Sequence, residues 1–215
     1  MSPRQVQGGF FVTFEGPEGA GKTTQIERLR DALEQRGYAV RVTREPGGTA
    51  LGEKLRDLLK HFHDPEGVAP PAEALLFGAS RAQLMACVVR PHLEGGGVVL
   101  CDRFADSTTV YQGMARGLDA DFIDRMHRFS IGERWPDLTL LLDLDAGAAM
   151  ARARTRSPGQ RDRIEAEPAA FHEAVRQGFL SLARAHPGRI RVVDAARPPD
   201  AIHQSIMEIV DRALG

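Results

Sequence analysis

Residues 16–23 read Gly-Pro-Glu-Gly-Ala-Gly-Lys-Thr, and they follow Phe-Phe-Val-Thr-Phe-Glu, a run dominated by apolar side chains. This junction constrains the chain more than any other stretch. An apolar run without polar alternation suits a strand buried on both faces. The residues that follow the glycines keep Ile26, Leu29 and Leu33 on one helical face. Strand, glycine loop and helix N-terminus in that order make a phosphate cradle, with backbone N–H groups and the positive helix end turned toward the anion. Gly16, Gly19 and Gly21 are expected to let phosphates approach the backbone. In this pattern, G-x-x-x-x-G-K-[ST], Lys22 reaches the outer phosphates of a nucleotide and Thr23 offers a hydroxyl to Mg²⁺.

The rest of the chain repeats the alternation of short apolar runs with amphipathic ones. Strands are expected over residues 10–15, 39–43, 98–102, 138–143 and 190–194, buried on both faces and joined by parallel crossovers. Helical faces are formed by Leu51, Leu55, Leu58 and Leu59, by the apolar stretch 72–89, and by Ile202, Ile206, Ile209 and Val210. Residues 62–71 and 155–162 carry the turn formers, and Gly95 to Gly97 end a helix. The implied architecture is α/β, a doubly wound sheet in a single domain spanning 1–215. With 28 basic and 29 acidic side chains, a net charge of -1 gives no global attraction for nucleic acid or an anionic membrane. Cys87 and Cys101 fall in apolar runs and are expected to be buried thiols of a reducing compartment. No uninterrupted apolar run of bilayer-spanning length is present.

Other residues carry chemistry with alternatives attached. Asp102 and Arg103 end the third strand, where doubly wound sheets bind ligands, so Asp102 is suited to hold Mg²⁺ through water and Arg103 to meet an anion; a surface ion pair also fits. Phe77 and Arg81 share a helix face, where a ring can stack on a base and a guanidinium can donate to its carbonyl; ordinary core and solvated roles also fit. Between residues 152 and 163 lie Arg152, Arg154, Arg156, Arg161 and Arg163, a charged helix end or a cationic lid. His61 and His63 lack the further ligands a metal needs, and Asp143 and Asp145 suit a helix cap.

Taken together, the phosphate loop, Arg-Glu-Pro-Gly-Gly-Thr at 44–49, Phe-Gly-Ala-Ser-Arg at 77–81, the stretch 102–112, Arg116-Gly117, Pro-Asp-Leu at 136–138 and Asp-Arg-Ile-Glu at 162–165 make the chain resemble bacterial thymidylate kinases. The resemblance implies a three-layer P-loop NTPase fold, with a five-stranded parallel sheet and a short lid over about 152–165. It also implies transfer of the γ-phosphoryl group of ATP to dTMP, with Mg²⁺ as cofactor. By resemblance, ATP is bound by Gly16, Pro17, Glu18, Gly19, Ala20, Gly21, Lys22, Thr23, Thr24 and Arg152, and Mg²⁺ by Thr23 and Asp102. The acceptor falls to Glu18, Arg44, Glu45, Arg56, Phe77, Arg81, Arg103, Ser107, Thr108, Tyr111 and Gln112. Lys22, Arg103 and a lid arginine, Arg163 before Arg156, are the expected catalytic cations. Similar enzymes are cytoplasmic homodimers acting on ATP and dTMP without nucleic acid or membrane. Two rivals stand beside this reading: a kinase for another nucleoside monophosphate, and a nucleotide-dependent switch, against which the absence of a guanine-reading Asn-Lys-x-Asp motif counts.

Overall fold

The structure, a computed structural model, describes residues 3–62, 65–156 and 162–215, and not the side chain of Arg156. Five strands, β1 (Phe10–Glu15), β2 (Val40–Arg44), β3 (Val98–Asp102), β4 (Leu138–Asp143) and β5 (Ile190–Asp194), form one parallel sheet in the order β2-β3-β1-β4-β5. The helices are α1 (Lys22–Gln35), α2 (Ala50–His61), α3 (Pro70–Leu84), α4 (Arg90–Glu94), α5 (Ala105–Thr108), α6 (Ala120–Ile131), α7 (Ala146–Arg156), α8 (Ala169–Ala185) and α9 (Pro199–Leu214). Two π-helical turns, Met85–Val89 and Thr109–Ala115, interrupt helical stretches.

Strand pleating sorts the core into layers. Phe10, Val12 and Phe14 of β1 pack with Leu138, Leu140 and Leu142 of β4 against Ile26, Leu29 and Leu33 of α1 and Ile202, Ile206 and Val210 of α9. Their neighbours Phe11, Val99 and Cys101 face the other way, onto Leu84, Met85 and Val89. Leu141 and Ile190 meet Val175 and Phe179 of α8 on that same side. The central strand β1 leaves the sheet between β3 and β4, so its carboxyl end lies where the direction of winding reverses, and that edge receives the phosphate loop.

Several expectations need correction. β2 and β5 are edge strands with exposed faces, at Val42 and Val192, because each has a neighbour on only one side. The α2 face is buried only at Leu59 among its four leucines; Leu51 and Leu58 are exposed. Cys87 is exposed, whereas Cys101 is buried in the sheet. Asp145 caps α7 by accepting from Ala148 N (3.1 Å), but Asp143 instead takes a two-pronged ion pair from Arg176 (2.7 and 3.0 Å). His61 pairs with Asp57 at 2.8 Å, and His63 lies outside the described residues. The helical stretch Pro70–Glu94 is long and apolar enough by composition to span a bilayer, yet half of its apolar window is buried in protein. It also holds Glu73 and Arg81 fully buried against partners, which marks it as a core helix.

Candidate active site

The phosphate loop begins where β1 ends. Gly16, Gly19 and Gly21 all have positive φ, which only glycine adopts without strain. Close packing against the protein itself explains two of them: a Cβ at Gly16 would sit 2.3 Å from the Leu142 carbonyl oxygen, and one at Gly19 2.3 Å from that of Ala149. A Cβ at Gly21, the left-handed N-cap of α1, would instead meet open space. Lys22 is almost fully buried, and its Nζ donates to the carbonyls of Gly16 (3.2 Å) and Pro17 (2.9 Å). Burial, and then the nearby Arg103 guanidinium, push its pKa down. Thr23 and Thr24 are exposed at the helix start.

Across the loop, the end of β3 turns sharply. Arg103 is the one described non-glycine residue with positive φ, at 67°, and its N–H donates to the Phe14 carbonyl at 2.9 Å. The buried carboxylate of Glu15 braces the turn by accepting from Phe104 N (2.8 Å) and from the N–H (3.3 Å) and hydroxyl (2.6 Å) of Ser107. Burial raises the Glu15 pKa to about 7, with Arg103 drawing it back down. The Arg103 guanidinium lies 3.5 Å from Glu18 and 5.4 Å from the centre of the Tyr111 ring. Its pKa is raised because Tyr111, Glu18, Glu15 and Asp102 outweigh its burial, so it stays cationic. Asp102 Oδ1 is buried without a hydrogen-bond partner among the described residues. A buried carboxylate oxygen left open at the carboxyl end of β3 fits a hydrated Mg²⁺.

Ten of the eleven residues expected at the acceptor line one cleft next to Arg103. Glu18 of the phosphate loop and Asp102 and Arg103 at the end of β3 contribute to its lining, Arg44, Glu45 and Arg56 make the wall around the Arg-Glu-Pro-Gly-Gly-Thr stretch, and Phe77, Thr108, Tyr111 and Gln112 complete it. The Arg-Glu-Pro-Gly-Gly-Thr wall is held by Glu53, which accepts from Gly48 N (2.8 Å) and pairs with Arg44 (2.8 Å). Arg56 donates to the Pro46 carbonyl at 2.9 Å. Arg81 does not line the cleft. Its guanidinium is fully buried behind the wall and donates to Glu45, to Thr108 Oγ1 (2.6 Å) and toward His127 Nδ1 (3.1 Å). Burial and Arg81 hold the His127 pKa down at about 3, so that ring is neutral.

On the lid side, Arg152 donates to the Ala195 carbonyl at 3.0 Å, joining α7 to the end of β5. Arg163 is not turned toward the cleft: it donates to Glu73 and to the Leu59 carbonyl, because a fully buried carboxylate draws the nearest cations. Asp162 and Glu165 close a reciprocal turn, Asp162 accepting from Ile164 N (3.0 Å) and Glu165 N (2.9 Å), and Glu165 from Asp162 N (3.3 Å). Arg161 and the side chain of Arg156 lie outside the described residues. Sequence reasoning missed Glu15, Glu53, Glu73 and His172. Burial of Glu15 and Glu73 among arginines had no local signal, although Glu73, Phe77 and Arg81 stand one helical turn apart on α3. His172 lines the cleft with a buried Nε2 that has no hydrogen-bond partner among the described residues.

The thymidylate kinase family model matches residues 14–206. The chain belongs to the thymidylate kinase family. It is 50% identical over 201 residues to the thymidylate kinase of Gloeobacter violaceus, covering 94% of each chain. With that of Deinococcus radiodurans the identity is 50% over 203 residues, covering 94% of this chain and 96% of the relative. The crystal structure of thymidylate kinase from Ehrlichia chaffeensis superposes with a TM-score of 0.76 at 32% identity, covering 94% of this chain and 98% of that one. Members of this family are nucleoside monophosphate kinases: they transfer the γ-phosphoryl group of ATP to dTMP, giving dTDP and ADP, in nucleotide biosynthesis.

Proposed function

We propose that the phosphate loop and the cleft beside it are the donor and acceptor halves of this kinase, within one catalytic domain, and that Arg103 bridges them. The observation that carries this reading is that Glu18, Asp102 and Arg103 line the cleft and are also among the charges close enough to act on Lys22. Backbone N–H groups of residues 16–24 hold the ATP phosphates, with Lys22 on the outer ones. Arg44, Arg56 and Arg103 hold the acceptor phosphate, Phe77 stacks on the base, and Thr108 and Gln112 read its edge. Tyr111 walls off a 2′-hydroxyl.

No general base is required, since the second pKa of a phosphate monoester is about 6 and the attacking oxygen is already ionised. The barrier is one of charge: donor and acceptor are both anions, and preorganised cations lower it. Thr23 and Asp102 would hold Mg²⁺, which, when bound, offsets the negative charge of the ATP phosphates. Lys22 and Arg103 turn their charge to the phosphates, and a lid arginine joins them when the lid closes and excludes water. Arg81 acts from behind the wall, orienting Thr108 and Glu45 rather than reaching the base directly.

The chain acts as a cytoplasmic homodimer in this reading. Support comes from apolar side chains left exposed on neighbouring helices: Leu51 and Leu58 of α2, Leu75 of α3, and Phe129 of α6, which is 92% exposed. A coupled ADP-release assay across dTMP, dUMP, dCMP, AMP and GMP tests the acceptor assignment. The highest kcat/KM is expected with dTMP, with loss of turnover when Mg²⁺ is chelated; equal use of AMP or GMP contradicts it.

A further inference from the structure

Glu73, on α3 one turn before Phe77, carries a fully buried carboxylate near the cleft, and no solvent reaches it. Its four lone-pair positions are all taken. Oε1 accepts from Gln112 Nε2 (2.7 Å) and Arg116 Nε (2.7 Å), and Oε2 accepts from Arg116 Nη2 (3.3 Å) and from Arg163. Two segments thus converge on one group: the π-helical turn Thr109–Ala115 with the residue after it, and the turn holding Arg163 at the end of the expected lid stretch 152–165. That last turn is fastened independently by Lys60 to Asp162 (2.7 Å) and Arg116 to Glu167 (2.9 Å).

We infer that Glu73 is a positioning residue that sets acceptor specificity by fixing which edge of the Gln112 carboxamide faces the cleft. The inference rests on the reading of Gln112 as a base contact given above. A carboxylate can only accept, so the Gln112 nitrogen must face Glu73, and the carbonyl edge is what the side chain presents to the cleft. A fixed acceptor there pairs with a pyrimidine carrying a ring N–H, as thymine and uracil do. It opposes a ring nitrogen that is itself an acceptor, as in cytosine, where two lone pairs would meet. Arg116 and Arg163 keep the carboxylate from turning away, so the same group ties the base-reading side chain to the segment bearing Arg163.

The test compares kcat/KM for dTMP and for dCMP in the full-length enzyme and in Glu73→Gln, Gln112→Ala and the double variant. A carboxamide at position 73 has too few acceptor positions for three donors and releases Gln112 to turn over. Glu73→Gln is expected to lower the dTMP-to-dCMP ratio by about 10-fold or more, leaving the KM for ATP nearly unchanged. Adding Glu73→Gln to Gln112→Ala should then lower the ratio no further. Equal loss with both substrates, or an unchanged ratio in Glu73→Gln while Gln112→Ala alters it, overturns the inference. An unchanged ratio in Gln112→Ala instead removes the base-contact reading, and the specificity role of Glu73 with it. Should Glu73→Gln fail to fold, the side-chain amide protons of Gln112 in the ¹⁵N spectrum of the unsubstituted protein decide the matter. Slow exchange with water supports the clamp, and fast exchange overturns it.

Discussion

In the proposed reading the donor half of the site is built mainly from the consecutive residues 16–24 and the acceptor half from side chains on several separate segments. The phosphate loop is proposed to work through backbone N–H donors, and its shape comes from glycines packed against the Leu142 and Ala149 carbonyls. In the acceptor cleft the working groups are charged side chains already paired with one another: Arg103 with Glu18 and Arg44 with Glu53, backed by Arg81 with Glu45. The difference teaches that a backbone cradle is specified locally, whereas a base-reading cleft needs long-range partners to hold its cations in place. A substitution in the first should remove chemistry and spare the fold. A substitution behind the second should damage both.

The largest effect is expected at Lys22. Lys22→Ala should lower kcat by at least about 10³-fold, by the magnitudes associated with single transition-state cations. Thermal melting should shift by only a few degrees, since the partners Lys22 bonds are two neutral backbone carbonyls, those of Gly16 and Pro17, rather than a buried counter-charge. A comparable loss of melting temperature and activity would erase the contrast between the two halves.

Behind the acceptor wall the expected balance is the reverse. Glu45→Gln leaves the fully buried Arg81 guanidinium without its counter-charge, which should cost about 3–5 kcal/mol of stability in denaturant titration. A loss below about 1 kcal/mol would mean that Thr108 and His127 suffice to hold Arg81.

Glu15 sharpens the comparison because it touches both halves. Its pKa of about 7 in the folded protein stands above the ordinary 4.5, so the folded state keeps a proton that the unfolded chain has released. The stability this contributes is full below about pH 4.5 and declines as pH rises toward 7, by about 3 kcal/mol in all. Glu15→Gln should flatten that decline between pH 5 and pH 7.5 in urea titrations; an unchanged slope would show that the proton sits elsewhere. The smallest effect is expected at Thr49, whose hydroxyl caps α2 by accepting from Gly52 N at 2.9 Å. Thr49→Ala should cost about 1 kcal/mol with kcat nearly unchanged.

The same division explains what was legible in the sequence. Strand positions could be read because β1, β3 and β4 are buried on both faces, and their apolar runs say so directly. β2 and β5 were located but assigned too much burial, since an edge position depends on sheet order rather than local composition. The phosphate loop was readable because its mechanism is local. Most of the cleft was reached by resemblance, through motifs whose individual residues also fit bland roles. The roles of Glu15, Glu73 and Arg163 were not legible, because a buried acid is explained only by arginines up to 90 residues away. The same holds for the exposed leucines of α2, whose helical period matches a buried face until the neighbouring elements are known.

The central claim is that one cleft, joined to the phosphate loop through Arg103, receives dTMP. A crystal structure with dTMP and a non-hydrolysable ATP analogue tests it most directly. The account predicts the thymine ring against Phe77 with its imide N–H at Gln112, and the monophosphate among Arg44, Arg56 and Arg103, facing the terminal phosphate of the analogue. A monophosphate bound outside this cleft, or separated from the phosphate loop by an unmoved Arg103–Glu18 pair, would contradict it.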